Sequence, residues 1–398
     1  MELDPAAWLT RPGLRTLLEA LDVKGGATKL VGGAVRDLAL GLDAADLDLA
    51  TRLLPDEVIA RLSAARIKAV PTGIAHGTVT AVTSGTVVEV TTLRSDVATD
   101  GRRATVAFTT DWAADAARRD FTINALYAEP LGGTIIDPTG EGEADLAARR
   151  VRFIGAPLAR IAEDHLRILR FFRFHARFSD GPPDAAALAA CTARANDLMA
   201  LSRERIADEL SKLLALPDPL PTIRLMVESG ILRPVLPEID VPATDRLAAL
   251  IAAEQSAPIP ADRWRRLAAL LPRDALAAEK IAARLKLSNK VRQRMALAAD
   301  PADLGPAQAH AYRLGTESAI DRLLLASRPA DAAAIADWPV PRLPISGGTL
   351  IARGITQGPD VARTLRTIEQ AWLDAAFPTG ASFDELVTPI IAAALDPR

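Results

Sequence analysis

The residues best suited to chemistry lie in the stretch LVGGAVRDLALGLDAADLDLAT. Gly32 and Gly33 stand where a predicted strand meets a predicted helix, and backbone amides free of side chains can bind an anion there. Arg36 follows one helical turn later, close enough to reach the same phosphate. Asp46 and Asp48 alternate along a second predicted strand, so both carboxylates project from one face. Two carboxylates placed in this way can hold Mg²⁺, which phosphoryl transfer from a nucleotide requires.

This combination resembles the signature of the class II nucleotidyltransferases of the DNA polymerase β superfamily, a group with tRNA CCA-adding enzymes and bacterial poly(A) polymerases. The glycines do not form a P-loop, because no Gly-Lys-Ser/Thr follows them. The block VEVTTLR resembles the neighbouring catalytic strand, in which Glu89 is a third metal-facing carboxylate or else a charge at a sheet edge. In the block RRDFTINA, the resemblance implies that Arg119 contacts the nucleotide, with Asp120 and Asn124 as helpers.

A fourth block, IAEDHLRILRFFRFHARF, is predicted as one helix over Ile161 to Phe178. One face of this helix carries a stripe of arginines, with Phe171 and Phe174 interleaved. The interleaved aromatic rings predict that the arginines are covered and therefore need anionic partners. The arginines of the stripe are Arg167, Arg170, Arg173 and Arg177. Asp164 as acceptor beside Arg167 as donor suits cytosine and adenine and rejects uracil and guanine.

The resemblance also implies that this helix selects cytosine and adenine. The Glu-Asp-x-x-Arg motif of the family acts as a protein template for CTP and ATP, and here it begins at Glu163. Arg170 and Arg173 match further nucleotide-binding arginines. The alternative for Asp164 and Arg167 is an i, i+3 salt bridge without a role in substrate binding.

The elements that must position these residues follow from periodicity and turn residues. We expect strands at Lys29–Val31, Ala45–Ala50, Ile123–Tyr127 and Thr134–Ile136, a hairpin of Thr78–Val82 with Thr86–Thr92, and helices at Thr10–Leu21, Ala34–Leu40 and Pro55–Ala65. Residues 95–110 are polar and predict a mobile loop. After about residue 150 only Ala/Leu/Arg-rich helices separated by Pro-rich turns are expected.

The predicted fold class is therefore α+β. A polymerase-β-like nucleotidyltransferase head with a small mixed sheet occupies residues 1–150. It is followed by a helical neck with the nucleotide-selecting helix over 151–215. An all-α body and tail over 216–398 is expected to bind tRNA.

Composition narrows the function classes further. The 398 residues carry a formal net charge of −3, one cysteine and four histidines, which argues against a disulfide framework and against Cys- or His-based metal sites. The acidic start MELDPAAWLT lacks the pattern of a signal peptide, and we find no membrane-spanning stretch. We expect a cytoplasmic protein.

The predicted function is template-independent addition or repair of the 3′-terminal CCA of tRNA from CTP and ATP with Mg²⁺, releasing pyrophosphate. The expected partners are tRNA and the two nucleotides, without DNA or membrane. A bacterial poly(A) polymerase is the nearest alternative, although a strongly basic extension for RNA binding is not seen here. Enzymes that add only CC or only A remain open, as does a catalytically silent RNA-binding scaffold.

Overall fold

The computed structural model describes residues 2–44, 46–100, 103–301, 305–355 and 358–395. The chain divides into two compact units, Met1–Pro237 and Glu238–Arg398. The first unit carries every strand among the described residues, and the second is helical. The α+β class predicted from the sequence is confirmed.

A seven-stranded mixed sheet forms the centre of the first unit. Its strands are β1 (Thr28–Val31), β2 (Leu47–Thr51), β3 (Lys68–Gly73), β4 (Thr78–Val82), β5 (Val87–Thr92), β8 (Tyr127–Ala128) and β9 (Ile135–Ile136). They are arranged in the order β3-β4-β5-β2-β1-β8-β9. Strands β2 and β5 are parallel, and the other pairs are antiparallel. In β5, Val88 and Val90 are buried while Glu89 is exposed, so the period of two sends its carboxylate away from the core.

The expected loop over 95–110 is wrong: β6 (Arg94–Asp100) and β7 (Arg103–Phe108) pair as an antiparallel hairpin. Residues 101 and 102 lie outside the described residues, as does Ala45 of the strand expected at Ala45–Ala50. Cross-strand backbone pairing gives polar residues a regular structure that hydrophobic periodicity does not reveal. Strand β3 was not predicted, because its sequence KAVPTG contains a proline and a bulge.

Three further boundaries differ from the prediction. The first long helix begins at Leu14, because Gly13 adopts a φ of 75° just before it. The strand expected at Ile123–Tyr127 starts with a 3₁₀ turn at Thr122–Asn124. The helix expected over Ile161 to Phe178 is two helices, broken where Asp164 takes an extended conformation.

The helices of the first unit surround the sheet and continue beyond it. They are α1 (Ala6–Leu9), α2 (Leu14–Ala20), α3 (Gly33–Ala39), α4 (Pro55–Ala64), α5 (Trp112–Ala117), α6 (Gly142–Ala147), α7 (Pro157–Glu163), α8 (Leu166–Phe178), α9 (Ala185–Ala193), α10 (Arg203–Leu214) and α11 (Leu220–Glu228). Phe121, Phe153, Phe171 and Phe174 stack together and attach α8 to the segment that follows α5.

The second unit consists of helices α12 (Val241–Ser256), α13 (Arg263–Leu270), α14 (Ala275–Arg284), α15 (Asn289–Ala299), α16 (Ala307–Leu314), α17 (Thr316–Leu325), α18 (Pro329–Ala336), α19 (Gly347–Ala352), α20 (Gly358–Asp374) and α21 (Ala381–Leu395). One of its cores is built around the fully buried Trp372. The described part of the chain has no helix that is both long and apolar enough to cross a membrane.

Candidate active site

One edge of the sheet carries three neighbouring carboxylates, and we call it the acidic edge. Asp48 on β2 lies directly opposite Glu89 on the parallel neighbour β5, and Asp46 precedes β2. Residues paired across neighbouring strands point to the same face, so Asp48 and Glu89 share a surface. Burial raises the pKa of Asp48, and the negative charges of Glu89 and Asp46 raise it further. Mutual repulsion of this kind marks a site that a cation would stabilise.

The Gly-Gly turn lies beside these carboxylates and has the geometry expected of an anion-binding turn. Gly32 has φ 69° and ψ −124°, a conformation reserved for glycine, and it is the N-cap residue of α3. A Cβ at Gly32 would lie 3.3 Å from Nη1 of Arg119. The positive charge of Arg119 lowers the pKa of Asp48, opposing the two carboxylates. The structure therefore brings the glycine turn, Arg119 and the acidic edge together.

Arg119 is fixed by an acidic residue that the sequence motifs did not single out. Asp115 is buried within α5 and accepts hydrogen bonds from Nη2 of Arg119 at 2.9 Å and from Nε of Arg118 at 3.0 Å. The hydroxyl of Tyr127 donates to it at 2.7 Å. Burial alone would raise the pKa of Asp115, but these partners outweigh it and lower the pKa to about 2. The signal in the sequence was the spacing of four residues between Asp115 and Arg119, which suits an ion pair across one helical turn.

The Arg36 side chain is buried and is hydrogen-bonded to other protein groups, whereas the sequence predicted that it would extend towards a phosphate. Its Nη1 donates to Oδ1 of Asn124 at 2.5 Å, and its Nε donates to Asp37 at 2.8 Å. Its guanidinium also lies 4.0 Å from the ring centre of Phe178. A Cβ at Gly33 would lie 3.6 Å from its Nη2, so the charge does sit behind the glycine turn.

Asp120 and Asn124 connect this turn to the arginine helix. The amide nitrogen of Asn124 donates to Oδ1 of Asp120 at 3.0 Å, and Nε of Arg170 donates to Oδ2 of Asp120 at 2.7 Å. Burial alone would raise the pKa of Asp120, but Arg170 and Asn124 outweigh it and lower the pKa. These two predicted helper residues thus form a continuous polar chain from Arg36 on α3 to Arg170 on α8.

Each arginine of the α8 stripe has a carboxylate partner within the protein. The ion pairs are Arg167–Glu163, Arg170–Asp120, Arg173–Glu209 and Arg177–Asp37. Phe174 lies beneath the guanidinium groups of Arg170 and Arg173, at 5.1 and 4.5 Å from its ring centre. Glu209 lies on α10, so a later helix supplies the counter-ion of Arg173.

Asp164 and Arg167 do not form the salt bridge considered as the alternative. Asp164 accepts from Nη2 of Arg205 at 2.8 Å and from the backbone amide of Leu166 at 3.1 Å. Arg167 donates to Glu163 at 2.6 Å and to the carbonyl of Arg118 at 3.0 Å. The break between α7 and α8 separates the two side chains, so each is held by its own partner. Only the three-dimensional fold brings Arg205, forty-one positions later, against Asp164.

The metal-binding capacity of the acidic edge depends on the nucleotide. The described residues contain no group of three or more His, Cys, Asp or Glu side chains arranged to hold a metal. Mg²⁺ commonly takes one or two protein carboxylates and completes its shell with water and substrate phosphates. The donor set at Asp46 and Asp48, with Asp48 under like-charge repulsion, fits this mode of binding.

Comparisons with known proteins agree with the geometry. A family model described as the poly A polymerase head domain matches residues 28–152. A second, described as a probable RNA and SrmB-binding site of polymerase A, matches residues 183–241. The mouse protein named CCA tRNA nucleotidyltransferase 1, mitochondrial, is 33% identical over 386 residues, covering 92% of this chain and 87% of the mouse chain. This chain belongs to the CCA tRNA nucleotidyltransferase family.

Other members of the CCA tRNA nucleotidyltransferase family give the same result. The CCA-adding enzyme of Geobacillus thermodenitrificans is 40% identical over 219 residues, about half of each chain. The crystal structure of the Bacillus stearothermophilus CCA-adding enzyme in complex with CTP superimposes with a TM-score of 0.68 at 28% identity. That match covers 97% of this chain and 93% of the other.

Proposed function

We propose that this family member adds or repairs the 3′-terminal CCA of tRNA from CTP and ATP, releasing pyrophosphate. The observation that carries the proposal is the convergence of Asp46, Asp48 and Glu89 with the Gly32 turn and Arg119 at one sheet edge. Carboxylates that attract a cation, beside a cationic anion-binding turn, suit a nucleoside triphosphate. Relatives named as CCA-adding enzymes, one of them crystallised with CTP, support the choice of substrate.

In this proposal, the residues of the chain mainly position the reactants. The amide of Gly33 and the guanidinium of Arg119 hold the triphosphate, since the Gly32 amide already donates to the Leu126 carbonyl at 2.9 Å. Arg36 adds positive charge behind the turn, and Asp120 and Asn124 keep that region rigid. Asp46 and Asp48 would hold Mg²⁺, with Glu89 beside them as the third carboxylate of the site. The metal, when bound, neutralises charge on the attacking and leaving oxygens. The 3′-hydroxyl of the RNA attacks the α-phosphate in line, and pyrophosphate leaves.

Base selection is assigned to the break between α7 and α8. Arg205 and the amide of Leu166 orient the Asp164 carboxylate, which can accept a hydrogen bond from the exocyclic amine of cytosine or adenine. Arg167 would donate to the ring nitrogen beside that amine. Uracil and guanine present the reverse order of donor and acceptor, so a buried polar mismatch would exclude them.

The remaining stripe arginines, Arg170 and Arg173, are proposed to bind the nucleotide as well. In the structure they are balanced by Asp120 and Glu209. These carboxylates hold the guanidinium groups in place. A guanidinium has five N–H donors, so each arginine keeps donors for a bound anion while it is held.

The deciding experiment is nucleotide incorporation on a tRNA transcript that lacks its CCA end. Wild-type protein with Mg²⁺ receives each ribonucleotide separately and all four together, and Asp46→Ala is the control. We expect growth that stops after C, C and A, with UTP and GTP refused and no growth in the control. Equal silence of both proteins despite tight tRNA binding would contradict catalysis and favour an RNA-binding scaffold.

Poly(A) synthesis is the second candidate, because the match over residues 28–152 is to a poly A polymerase head domain. The same assay separates the two: a long adenylate ladder that also forms on unrelated RNA would identify a poly(A) polymerase. A hard stop after CC or after a single A would identify an enzyme with part of the activity.

We further propose the domain division of residues 1–150, 151–215 and 216–398, and activity in the cytoplasm. The mouse relative carries the word mitochondrial in its name, so the compartment needs its own test. Imaging of the tagged protein in its native cell, beside a cytoplasmic marker, gives that test. Limited proteolysis near residues 150 and 215 tests the boundaries.

A further inference from the structure

A cavity of about 420 Å³ lies within the helical unit Glu238–Arg398, and the proposed catalysis does not use it. Aromatic and proline side chains form most of its wall, with two polar side chains among them: Trp338, Phe377, Pro339, Pro341, Gln308 and Asp374. A cavity of this size, whose wall combines apolar rings with polar groups, can hold a small ligand that has a flat apolar face and a polar rim.

Packing contacts hold the aromatic part of the cavity wall in place. Phe377 has a φ of 62° and the preceding Ala376 a φ of 59°, a left-handed backbone that costs free energy in residues other than glycine. The Phe377 amide donates to the Trp372 carbonyl at 2.9 Å, and its ring centre lies 5.0 Å from that of Trp338. Packing thus offsets the backbone strain and fixes the aromatic wall. Pro339 and Pro341 also line the cavity, and their rings restrict the backbone there.

The chemistry of the wall suits a nucleobase. Aromatic rings stack on the flat faces of bases. Asp374 receives a hydrogen bond from Nε2 of Gln370 at 2.7 Å on Oδ1, while its other carboxylate oxygen accepts none from the described residues. That oxygen can accept from an exocyclic amine, and the Gln308 amide can donate or accept. The next residue after the lining Pro341 is the exposed Arg342.

We propose that this pocket binds one unstacked, amine-bearing nucleobase of the RNA substrate. The inference rests on the proposed function, since that function makes RNA the substrate. Sequence-tolerant stacking on aromatic side chains is how proteins hold splayed bases, and unpaired RNA bases are available for it. The pocket would therefore anchor the RNA by a base within the helical unit, the part of the chain that we expect to bind tRNA.

The test compares binding of a tRNA transcript lacking CCA to four forms of the full chain. Trp338→Leu removes the stacking face, Trp338→Phe keeps one, and Val340→Ala is the matched control. Val340 stands between the two lining prolines and is 41% exposed, but it is not part of the cavity wall. We expect Trp338→Leu to weaken RNA binding about 5- to 100-fold. Trp338→Phe should lose much less, and Val340→Ala should match wild type.

Two further measurements keep the proposal open to refutation. If circular dichroism shows that Trp338→Leu unfolds, the polar variants Asp374→Asn and Gln308→Ala decide, and each should raise the KM for tRNA without lowering kcat. Ultraviolet cross-linking of the bound transcript followed by peptide mass spectrometry should place a nucleotide adduct on the peptides with Trp338 or Phe377. Adducts only elsewhere, unchanged KM values, or capture of a proline-rich peptide without any effect on RNA would overturn the proposal.

The outcomes separate this proposal from the proposed function. If wild-type protein adds CCA and the pocket variants behave as wild type, the pocket proposal alone fails. If wild-type protein adds no CCA but binds the transcript through the pocket, the catalytic proposal fails and the pocket remains.

Discussion

Replacement of Glu209 by glutamine is the sharpest test of how the arginine stripe is held. The Glu209 side chain is 4% exposed and accepts from Nε of Arg173 at 2.6 Å, and its Oε1 lies 3.9 Å from Nη1 of Arg170. Arg173 itself is 13% exposed and has no second carboxylate partner among the described residues. Glutamine keeps the shape but removes the charge, so a covered guanidinium would remain without its counter-ion.

Removing one partner of a covered ion pair costs about 3–5 kcal/mol, and the retained amide oxygen favours the lower end of that range. For a unit of this size, about 3 kcal/mol corresponds to a fall in Tm of roughly 6–12 °C. The matched control is Asp208→Asn on the same helix. Asp208 pairs with Lys212 at 2.6 Å, but both side chains are at least half exposed, so a change of at most about 1 kcal/mol is expected.

Differential scanning calorimetry at pH 7, with the full chain, measures both variants. Nucleotide KM values for CTP and ATP should rise in Glu209→Gln, since Arg170 and Arg173 lose a shared anchor, while Asp208→Asn should retain the wild-type values. A Tm for Glu209→Gln within about 2 °C of wild type, or equal Tm shifts in the two variants, would refute the argument that burial determines how much the ion pair contributes to stability.

Three other changes test separate parts of the structure. Gly32→Ala should lower kcat/KM for CCA addition far more than Gly41→Ala, because both have φ near 70° but only a Cβ at Gly32 meets a guanidinium; equal losses would contradict this. Asp115→Asn should lose stability relative to wild type at pH 7. This difference should shrink as the pH falls from about 4 towards 2. The ionised Asp115 stabilises the fold above the pKa that it has in the unfolded chain, and this stability is lost as the carboxylate is protonated near its folded-state pKa of about 2. Urea unfolding across that pH range measures the difference. Asp321→Asn removes the negative charge that two buried guanidinium groups share at 2.5 to 3.0 Å. We expect a cost at the lower end of about 3–5 kcal/mol, because both arginines keep another carboxylate partner. Asp331→Asn, at a partly exposed ion pair, should cost under about 1 kcal/mol, and similar Tm shifts in the two would count against the estimate from burial.

The sequence alone determined the parts of the site that depend on local geometry. A glycine pair at a strand-to-helix junction has few conformations available, and the structure gives Gly32 the positive φ that this implies. Alternation along a strand directs Asp48 and Glu89 outward whatever the rest of the fold does. The helical spacing of the α8 cations is equally local, so the order of the residues is enough to reveal the stripe.

Only the tertiary structure decided which carboxylate pairs with which arginine. The sequence placed Asp164 beside Arg167, yet the break after α7 turns them to different partners, and Arg205 comes from a helix far along the chain. The hairpin over Arg94–Phe108 likewise depends on pairing between strands and not on periodicity. Hydrophobic patterns record which side of an element is buried. The partner of a buried charge is set by which distant elements pack against it, because any nearby opposite charge can satisfy the requirement.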